Sequence, residues 1–290
     1  MSADALLSAT ELRALLSQDA PIRVLDVRYQ LGRTDGRERY LAGHIPGAVF
    51  ADLDGELAGH GAPSDGRHPL PSDAQLQDAA RRWGIDAGQV VVVYDDSRSL
   101  PASRAWWALS RAGVADVRVL DGGLAAWRDA GGEIEEGDVE PVPGDVVLTS
   151  PGDDDVLSTE DVALWTGVLL DARAPERFRG ESEPIDPVAG HIPGARNLPI
   201  AEVLTEDGRF RRPEEILAAF ELAGAAENIP IAAYCGSGVT AAQLALAGAL
   251  IGREVTIYPG SWSAWSNTPG APIETGPVPA ETDPLDPSGR

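Results

Sequence analysis

The sequence predicts an α/β protein made of two similar domains in tandem, each a mainly parallel β-sheet flanked by helices. Two observations lead to this prediction. Four short blocks occur twice in the same order, and within each half short β-branched segments alternate with amphipathic helical segments. The length of 290 residues is sufficient for two ordinary domains.

The repeat can be read directly from the residues. The hexapeptide GHIPGA occurs at Gly43–Ala48 and again at Gly190–Ala195. The other blocks pair RVLDVR with LLDAR, VVVVYDDS with IAAYCGS, and VRVLDGGLAAW with VTIYPGSWSAW. Chance is a poor explanation for four blocks in one order, so we predict a duplicated structural unit.

The first half shows the predicted alternation of elements. Three apolar, β-branched runs are typical of buried parallel strands: Arg23–Arg28, Val90–Tyr94 and Val117–Leu120. Ser72–Trp83 has the spacing of an amphipathic helix opened by a serine cap, and Ala102–Ala112 has the spacing of a second helix. The N-terminal segment MSADALLSATELRALL also reads as a helix, and it lacks the basic and long apolar parts of a secretory signal.

Composition suggests the domain boundaries. We predict a first domain over residues 1–135, a linker over 136–157, and a second domain over 158–290 that includes a C-terminal tail. The linker region is rich in proline, glycine and acidic residues. The proline-rich tail after Ala271 is expected to lie over the surface or to be disordered.

Charge and cysteine content exclude several classes of function. The formal net charge of −23 argues against nucleic-acid binding, which needs clustered cations. All 23 basic residues are arginine, so no lysine Schiff base can form. No window approaches 18 unbroken apolar residues, so no membrane span is predicted. A single cysteine cannot form an internal disulfide, and this fits a cytoplasmic protein.

The single cysteine, Cys235, lies between a predicted strand and a predicted helix, in a loop of small residues. Gly236 and Gly238 permit backbone angles that turn successive N–H groups inward, and the helix adds its free N–H groups and its dipole. Such a loop stabilises a thiolate or a persulfide, and it needs no metal or cofactor. The alternative is a buried cysteine that acts only as a small apolar residue.

The first half has Asp95 where the second half has Cys235. A charged aspartate would be a poor substitute for a core residue. We therefore expect both side chains to face an open pocket at the carboxyl edge of their sheets, where ligands bind in such folds. The first domain would then be a scaffold without a nucleophile.

The DVR and DAR triplets, the two copies of GHIPGA, and the segments YCGSGVT and GSWSAW resemble the two-domain rhodanese-type sulfurtransferases. The resemblance extends from about Leu12 to Trp265. It implies two tandem rhodanese-like domains and an enzyme without a cofactor. Such an enzyme takes sulfane sulfur from 3-mercaptopyruvate or thiosulfate, holds it as a cysteine persulfide and passes it to cyanide or a thiol. Two internally paired domains need no partner for a core, so we expect a monomer or a weak homodimer.

The same resemblance assigns roles to individual residues. Cys235 would be the nucleophile. Ser237, with His68 and Asp54 from the first domain, would form a proton relay. Arg177 would bind the anionic group of the donor. The residues expected to cradle the sulfur or wall the pocket are Gly236, Gly238, Val239, Thr240 and Trp262.

His44 and His191 each precede Ile-Pro-Gly in the repeated hexapeptide. We expect each ring to pin a turn through a hydrogen bond to the backbone. Two histidines in different repeats, without neighbouring thiols or carboxylates in the sequence, do not indicate a metal site.

The choice of sulfur donor rests on conflicting signals. The loop CGSGVT resembles that of mercaptopyruvate sulfurtransferases, whereas thiosulfate enzymes typically place arginine and lysine directly after the cysteine. However, mercaptopyruvate enzymes usually carry a second donor-binding arginine after a Glu-Pro step, where this chain has Ile185 and Asp186. We predict 3-mercaptopyruvate, with thiosulfate as the alternative donor.

Two other classes of protein are alternatives to a sulfurtransferase. A cysteine phosphatase needs an arginine six residues after the cysteine to hold phosphate, and Ala241 stands there. A non-catalytic persulfide carrier or binding module remains a second alternative, since the first half fits that description. Reactivity of the thiol at neutral pH would distinguish an enzyme from such a module.

Overall fold

A computed structural model of the chain describes residues 5–18, 20–149 and 155–277. The first half forms one parallel sheet. Its strands are β1 (Leu6–Leu7), β2 (Ile22–Asp26), β3 (Val49–Phe50), β4 (Val90–Tyr94) and β5 (Val117–Leu120). They lie in the order β1-β5-β4-β2-β3. The α-helices of this half are α1 (Ala9–Ser17), α2 (Gly36–Leu41), α3 (Leu53–Glu56), α4 (Asp73–Arg82), α5 (Leu100–Arg111) and α6 (Gly123–Asp129).

The second half repeats this architecture with one strand fewer. Its strands are β6 (Val168–Asp171), β7 (Arg196–Asn197), β8 (Ile231–Tyr234) and β9 (Val255–Ile257). They are parallel and lie in the order β7-β6-β8-β9. Its α-helices are α7 (Thr159–Ala163), α8 (Pro175–Phe178), α9 (Pro213–Leu222), α10 (Val239–Leu250) and α11 (Ser261–Trp265). The predicted fold class is confirmed.

The predicted central strands of the first half are present at β2, β4 and β5. In β4 the side chains from Val91 to Tyr94 are all buried, as expected for a parallel strand covered on both faces. The predicted helix at residues 72–83 is α4, and the Ser72 hydroxyl accepts the N–H of Gln75 at 3.2 Å. Helix α5 begins earlier than predicted because Pro101 fits the first turn of a helix.

The N-terminal segment is only partly the predicted helix. Leu6 and Leu7 form a short edge strand beside β5, and the helix begins at Ala9. Ser8 and Glu11 form a capping box, in which each side chain binds the backbone N–H of the other residue. A two-residue strand has no periodicity, so the sequence pattern did not predict it.

The DVR triplet forms a buried ion pair at the carboxyl end of β2. The Arg28 Nη2 atom lies 2.6 Å from Asp26 Oδ2 and also donates to the Gly43 carbonyl at 3.0 Å. The Tyr94 hydroxyl donates to the same carboxylate at 2.6 Å. The triplet therefore joins two strands to the GHIPGA turn.

The DAR triplet repeats this arrangement in the second domain. Arg173 Nη2 lies 2.6 Å from Asp171 Oδ2 and 2.7 Å from the Gly190 carbonyl.

The histidines of the two GHIPGA turns form equivalent hydrogen bonds. His44 Nδ1 lies 3.0 Å from the Tyr40 carbonyl, and His191 Nδ1 lies 2.8 Å from the Phe178 carbonyl. The predicted ring-to-backbone bonds are confirmed.

The two domains meet along α5 and α10, which pack against each other. Helix α10 is buried along almost its whole length, which explains its apolar sequence. Both helices start directly after the loop that follows the central strand of their sheet. The domain interface therefore passes beside the cysteine loop.

Residues 136–149 run across the first domain. The N–H of Gly144 binds the Arg81 carbonyl at 2.8 Å, and the N–H of Thr149 binds the Ala112 carbonyl at 2.9 Å. The start of the tail is also held, because Glu274 and His191 exchange two backbone hydrogen bonds of 2.8 and 3.0 Å. The remainder of the predicted tail, residues 278–290, lies outside the described residues. Within the described ranges, no helix has the length and apolar character of a membrane span.

Candidate active site

Cys235 directly follows β8 and lies at the carboxyl end of the second sheet. Its side chain is buried, and its Sγ atom accepts the N–H of Gly238 at 3.1 Å. Gly238 has a φ of +81°, and a Cβ there would lie 2.4 Å from the Pro259 carbonyl oxygen. Only glycine fits this position. The first turn of α10 follows, with Val239 buried and Thr240 half-buried.

The GSW segment and the residue after it form hydrogen bonds to the backbone of the cysteine loop. The Ser261 hydroxyl accepts the N–H of Cys235 at 3.1 Å, and the N–H of Trp262 binds the Cys235 carbonyl at 3.0 Å. The N–H of Ser263 binds the Gly236 carbonyl at 2.9 Å. These bonds fix the backbone on both sides of the sulfur.

The sequence suggested that the indole of Trp262 walls the pocket. In the structure the indole is packed in the interior instead. It is fully buried, and its Nε1–H donates to the Val188 carbonyl at 3.0 Å. The Arg173 guanidinium lies over the ring, 4.6 Å from its centroid. Trp262 contributes to the site through its backbone, and its side chain packs in the core of the second domain.

Asp95 does not face an open pocket either, which corrects the expectation from the repeat. Its side chain is 1% exposed, and its carboxylate accepts backbone N–H groups of Ser97 at 2.7 Å, Ser99 at 3.0 Å and Ala102 at 3.0 Å. The carboxylate is thus held by the N–H groups of its own loop and the start of α5. Burial raises the pKa of Asp95 to about 7, and the three N–H groups oppose this effect by stabilising the carboxylate.

Three of the predicted site residues form a chain of close contacts across the domain interface. His68 Nδ1 lies 2.8 Å from Ser237 Oγ, and His68 Nε2 lies 3.2 Å from Asp54 Oδ1. Asp54 belongs to α3 and is largely exposed, whereas His68 and Ser237 are buried. Ser237 and His68 share a hydrogen bond, and the Asp54 carboxylate lies within ion-pair distance of the other ring nitrogen.

Tyr29 is a further neighbour of this chain that the sequence did not reveal. Its hydroxyl lies 3.3 Å from His68 Nε2, and its ring meets the imidazole edge to face. Burial, with the nearby Asp54 charge, raises the pKa of Tyr29 to about 12. The phenol therefore stays protonated at neutral pH.

Arg177 lies beside Gly236 of the cysteine loop and is held by two carboxylates. Its Nη2 atom lies 2.7 Å from Glu183 Oε1 and 3.3 Å from Asp186 Oδ2. Burial disfavours the Glu183 charge, but the Asp186 N–H and the Arg177 guanidinium lower the pKa of Glu183 below its usual value. These carboxylates fix the orientation of the guanidinium.

A second guanidinium, that of Arg67, reaches the same place from the first domain. It forms an ion pair with Asp186, and its backbone N–H donates to Ser263 Oγ at 3.0 Å. Burial raises the pKa of Asp186, although the Arg67 charge opposes this effect. Arg67 was not among the site residues predicted from the sequence, although its position next to His68 was a usable signal.

Both guanidiniums lie over Gly236, the residue after the cysteine. A Cβ at Gly236 would lie 3.1 Å from Arg67 Nη2 and 3.4 Å from Arg177 Nη1. The absence of a side chain there lets the two cations approach the sulfur loop closely. Within the described residues, no cluster of histidine, cysteine and carboxylate side chains could hold a metal ion.

Comparison with known proteins agrees with this geometry. The chain matches the rhodanese-like domain family at residues 8–130 and again at residues 156–268. It is 46% identical over 275 residues to a Mycobacterium tuberculosis protein that carries the name of a thiosulfate sulfurtransferase, SseB, covering 93% of this chain and 97% of that protein. It is 36% identical over 266 residues to the 3-mercaptopyruvate sulfurtransferase of Escherichia coli K12, covering 88% of this chain and 93% of that enzyme.

Superposition on solved structures identifies the same group of enzymes. The crystal structure of SseA, a 3-mercaptopyruvate sulfurtransferase from Escherichia coli, superposes with a TM-score of 0.79 at 36% identity, covering 89% of this chain and 98% of that chain. The 3-mercaptopyruvate sulfurtransferase from Leishmania major superposes with a TM-score of 0.82 at 30% identity, covering 92% and 75%. The chain, with its two rhodanese-like domains and a single cysteine in the second, belongs to the rhodanese family and is a sulfurtransferase of the thiosulfate and 3-mercaptopyruvate group.

Proposed function

We propose that the enzyme transfers sulfane sulfur from 3-mercaptopyruvate to cyanide or a thiol through a persulfide at Cys235. The main support is the chain of contacts from Ser237 through His68 to Asp54, in which Ser237 is hydrogen-bonded to His68 and lies in the same loop as the sulfur. This chain offers a proton route beside the sulfur. Of the two candidate donors, only 3-mercaptopyruvate needs one.

In the first step the Cys235 thiolate attacks the sulfur of 3-mercaptopyruvate. The new S–S bond forms as the carbon–sulfur bond breaks, and the electron pair of that bond leaves on the enolate of pyruvate. The donor begins with a thiol proton, and pyruvate ends with one more C–H bond, so the proton passes from sulfur to the enolate. The product on the enzyme is the anionic persulfide.

The proposed relay moves this proton. The Ser237 hydroxyl gives its proton to the enolate and takes up the proton of the donor thiol, and the His68–Asp54 pair holds the serine in position. In the second step an acceptor thiolate or cyanide attacks the outer sulfur, and the electron pair of the S–S bond returns to Cys235. The Gly238 N–H, 3.1 Å from Sγ, stabilises the sulfur anion.

Arg177 and Arg67 would bind the carboxylate of the donor. Their guanidiniums flank the cysteine loop at Gly236, one contributed by each domain. A guanidinium suits this task because its planar N–H groups match the geometry of a carboxylate.

Thiosulfate is the second candidate donor, and the same pair of arginines favours it. Two cations at the loop mouth fit a dianion, and sulfite leaves without needing a proton. The relative named for thiosulfate supports this alternative as well.

The deciding experiment is steady-state formation of thiocyanate from cyanide with each donor in turn, and with Cys235→Ser as the control. We expect turnover with 3-mercaptopyruvate well above that with thiosulfate, and none with Cys235→Ser. Faster turnover with thiosulfate would favour the second candidate. Inactivity with both donors would leave a persulfide carrier, and activity that survives Cys235→Ser would contradict the role of the cysteine.

Replacing Arg67 with glutamine should raise KM for the donor by about tenfold or more, because it removes a charge-assisted hydrogen bond to the donor anion. The measurement is KM and kcat for both donors. Arg33→Gln is the matched control, since Arg33 is half-exposed and pairs with Asp35 rather than with the carboxylates that hold Arg67 and Arg177. An unchanged KM for both donors would exclude Arg67 from donor binding.

The acceptor, location and assembly of the enzyme are further parts of the proposal. We expect it to act in the cytoplasm on small molecules. Because one chain supplies both halves of the site, from His68 to Ser237, we expect a monomer or a weak homodimer to be fully active. Specific activity that does not change on dilution would confirm this expectation.

A further inference from the structure

Arg104 is a fully buried arginine at the domain interface. It lies in α5, and its guanidinium is within 3.3 to 3.5 Å of three backbone carbonyl oxygens, those of Leu57, His68 and Gly238. Among the described residues, no carboxylate forms an ion pair with it. The other buried arginines named above, Arg28 and Arg173, each bind an aspartate.

A buried cation without an anion is costly in free energy, and three long hydrogen bonds compensate it weakly. The Trp107 ring, 5.4 Å from the Arg104 guanidinium carbon, adds a modest cation–π attraction. Burial lowers the pKa of Arg104 to about 10, and the guanidinium is still charged at neutral pH. The position thus retains a positive charge for which no permanent negative partner is present among the described residues.

One residue, Gly238, contacts both Arg104 and the sulfur of Cys235. Gly238 connects the two, because its carbonyl lies 3.5 Å from Arg104 Nη1 and its N–H lies 3.1 Å from Cys235 Sγ. We propose that Arg104 is the buried counter-cation of the Cys235 sulfur, and that it stabilises the thiolate and the persulfide through space. It is a positioning residue, since it touches neither donor nor acceptor.

Other charged groups also face this sulfur. Arg67 and Arg177 lie over Gly236, but Asp186 and Glu183 balance their charges. His68 reaches the loop through Ser237, and the Asp54 carboxylate lies 3.2 Å from its other ring nitrogen. Arg104 is buried and unbalanced, so its attraction for an anionic sulfur is screened least.

The proposal rests on the proposed role of Cys235 as the nucleophile, but its test needs no sulfur donor. The rate of alkylation by iodoacetamide is measured against pH, because only the thiolate reacts. Arg104→Met keeps much of the side-chain volume and removes the charge. We expect the midpoint of the pH–rate profile to rise by at least about one pH unit, with roughly a tenfold slower alkylation below both midpoints.

Two further variants separate charge from packing. Arg104→Lys retains a cation and should restore most of the shift. Arg111→Met is the matched control, since Arg111 is on the same helix, lies over the same Trp107 ring and pairs with Asp155. It should leave the midpoint unchanged. A folded Arg104→Met protein with the wild-type midpoint would overturn the proposal.

The wild-type protein provides a test that does not depend on the folding of any variant. The field of a buried cation is little affected by salt, so the alkylation midpoint should move by less than about 0.3 pH unit between 0.05 and 0.5 M KCl. A larger rise would assign the stabilisation to the more exposed Arg67 and Arg177 and would overturn the role of Arg104. The wild-type protein could be inactive with both donors while Arg104→Met still raises the alkylation midpoint. That result would refute the proposed reaction and leave this inference standing.

Discussion

The Ser237→Ala enzyme should lose about 100-fold or more of its turnover with 3-mercaptopyruvate and keep most of its turnover with thiosulfate. The reason is the difference between the leaving groups. The enolate of pyruvate needs a proton as it departs, whereas sulfite leaves as a stable anion. Ser237 is the group of the relay that shares a loop with Cys235, and it hydrogen-bonds His68 at 2.8 Å.

The measurement is kcat and kcat/KM for thiocyanate formation with each donor. Thiosulfate serves as the control within the same variant, because it uses the same cysteine and the same acceptor. His68→Gln should show the same selectivity, with a smaller loss, since its effect reaches the donor through Ser237. An equal loss with both donors would exclude the proton relay and leave Ser237 a structural part of the loop.

Asp171→Ala should lower the free energy of unfolding by about 3 kcal/mol, because it removes the closest anionic partner of the buried Arg173 guanidinium. Arg173 is almost completely buried and binds both Asp171 oxygens as well as the Gly190 carbonyl, whereas its second carboxylate, that of Glu183, lies 3.4 Å away and is shared with Arg177. A loss of this size is a large part of the stability of a typical domain. It can be measured by urea unfolding, followed through tryptophan fluorescence.

Two controls make this prediction specific. The double variant Asp171→Ala with Arg173→Met should lose less stability than the sum of the single variants, since no unpaired charge remains. Asp207→Ala removes an aspartate from an exposed pair with Arg209 and should cost less than about 1 kcal/mol. Similar losses for Asp171→Ala and Asp207→Ala would contradict the assignment of the DAR triplet to a buried structural pair.

Much of the fold was readable from the sequence because the repeated blocks lie in central elements. Strands such as Val90–Tyr94 are continuous apolar runs, and the helix after Ser72 has both its cap and its periodicity. These signals are local. The edge strands Leu6–Leu7 and Val49–Phe50 were not predicted, because each has only two residues and exists through pairing with a distant strand.

Part of the candidate site was also predictable from the sequence, because that part is formed by residues that are adjacent in the chain. Cys235, its glycines and the following helix are consecutive in the chain, so their chemistry can be inferred from order alone. Asp54 and His68 were assigned through the family resemblance, and the structure brings them to Ser237 from the other domain. The positions of Asp95 and Trp262 were misjudged, because burial of a side chain depends on neighbours that are not adjacent in sequence.

The sequence by itself determined the duplicated α/β unit, the single cysteine and the glycine loop that holds it, because these depend on the order of neighbouring residues. Only the tertiary structure decided which charges surround the sulfur. Arg67 and Arg104 come from the first domain, and each lies more than 100 positions from Cys235 in the chain. Electrostatic interactions depend on distance in space, and that distance is fixed by the packing of α5 against α10.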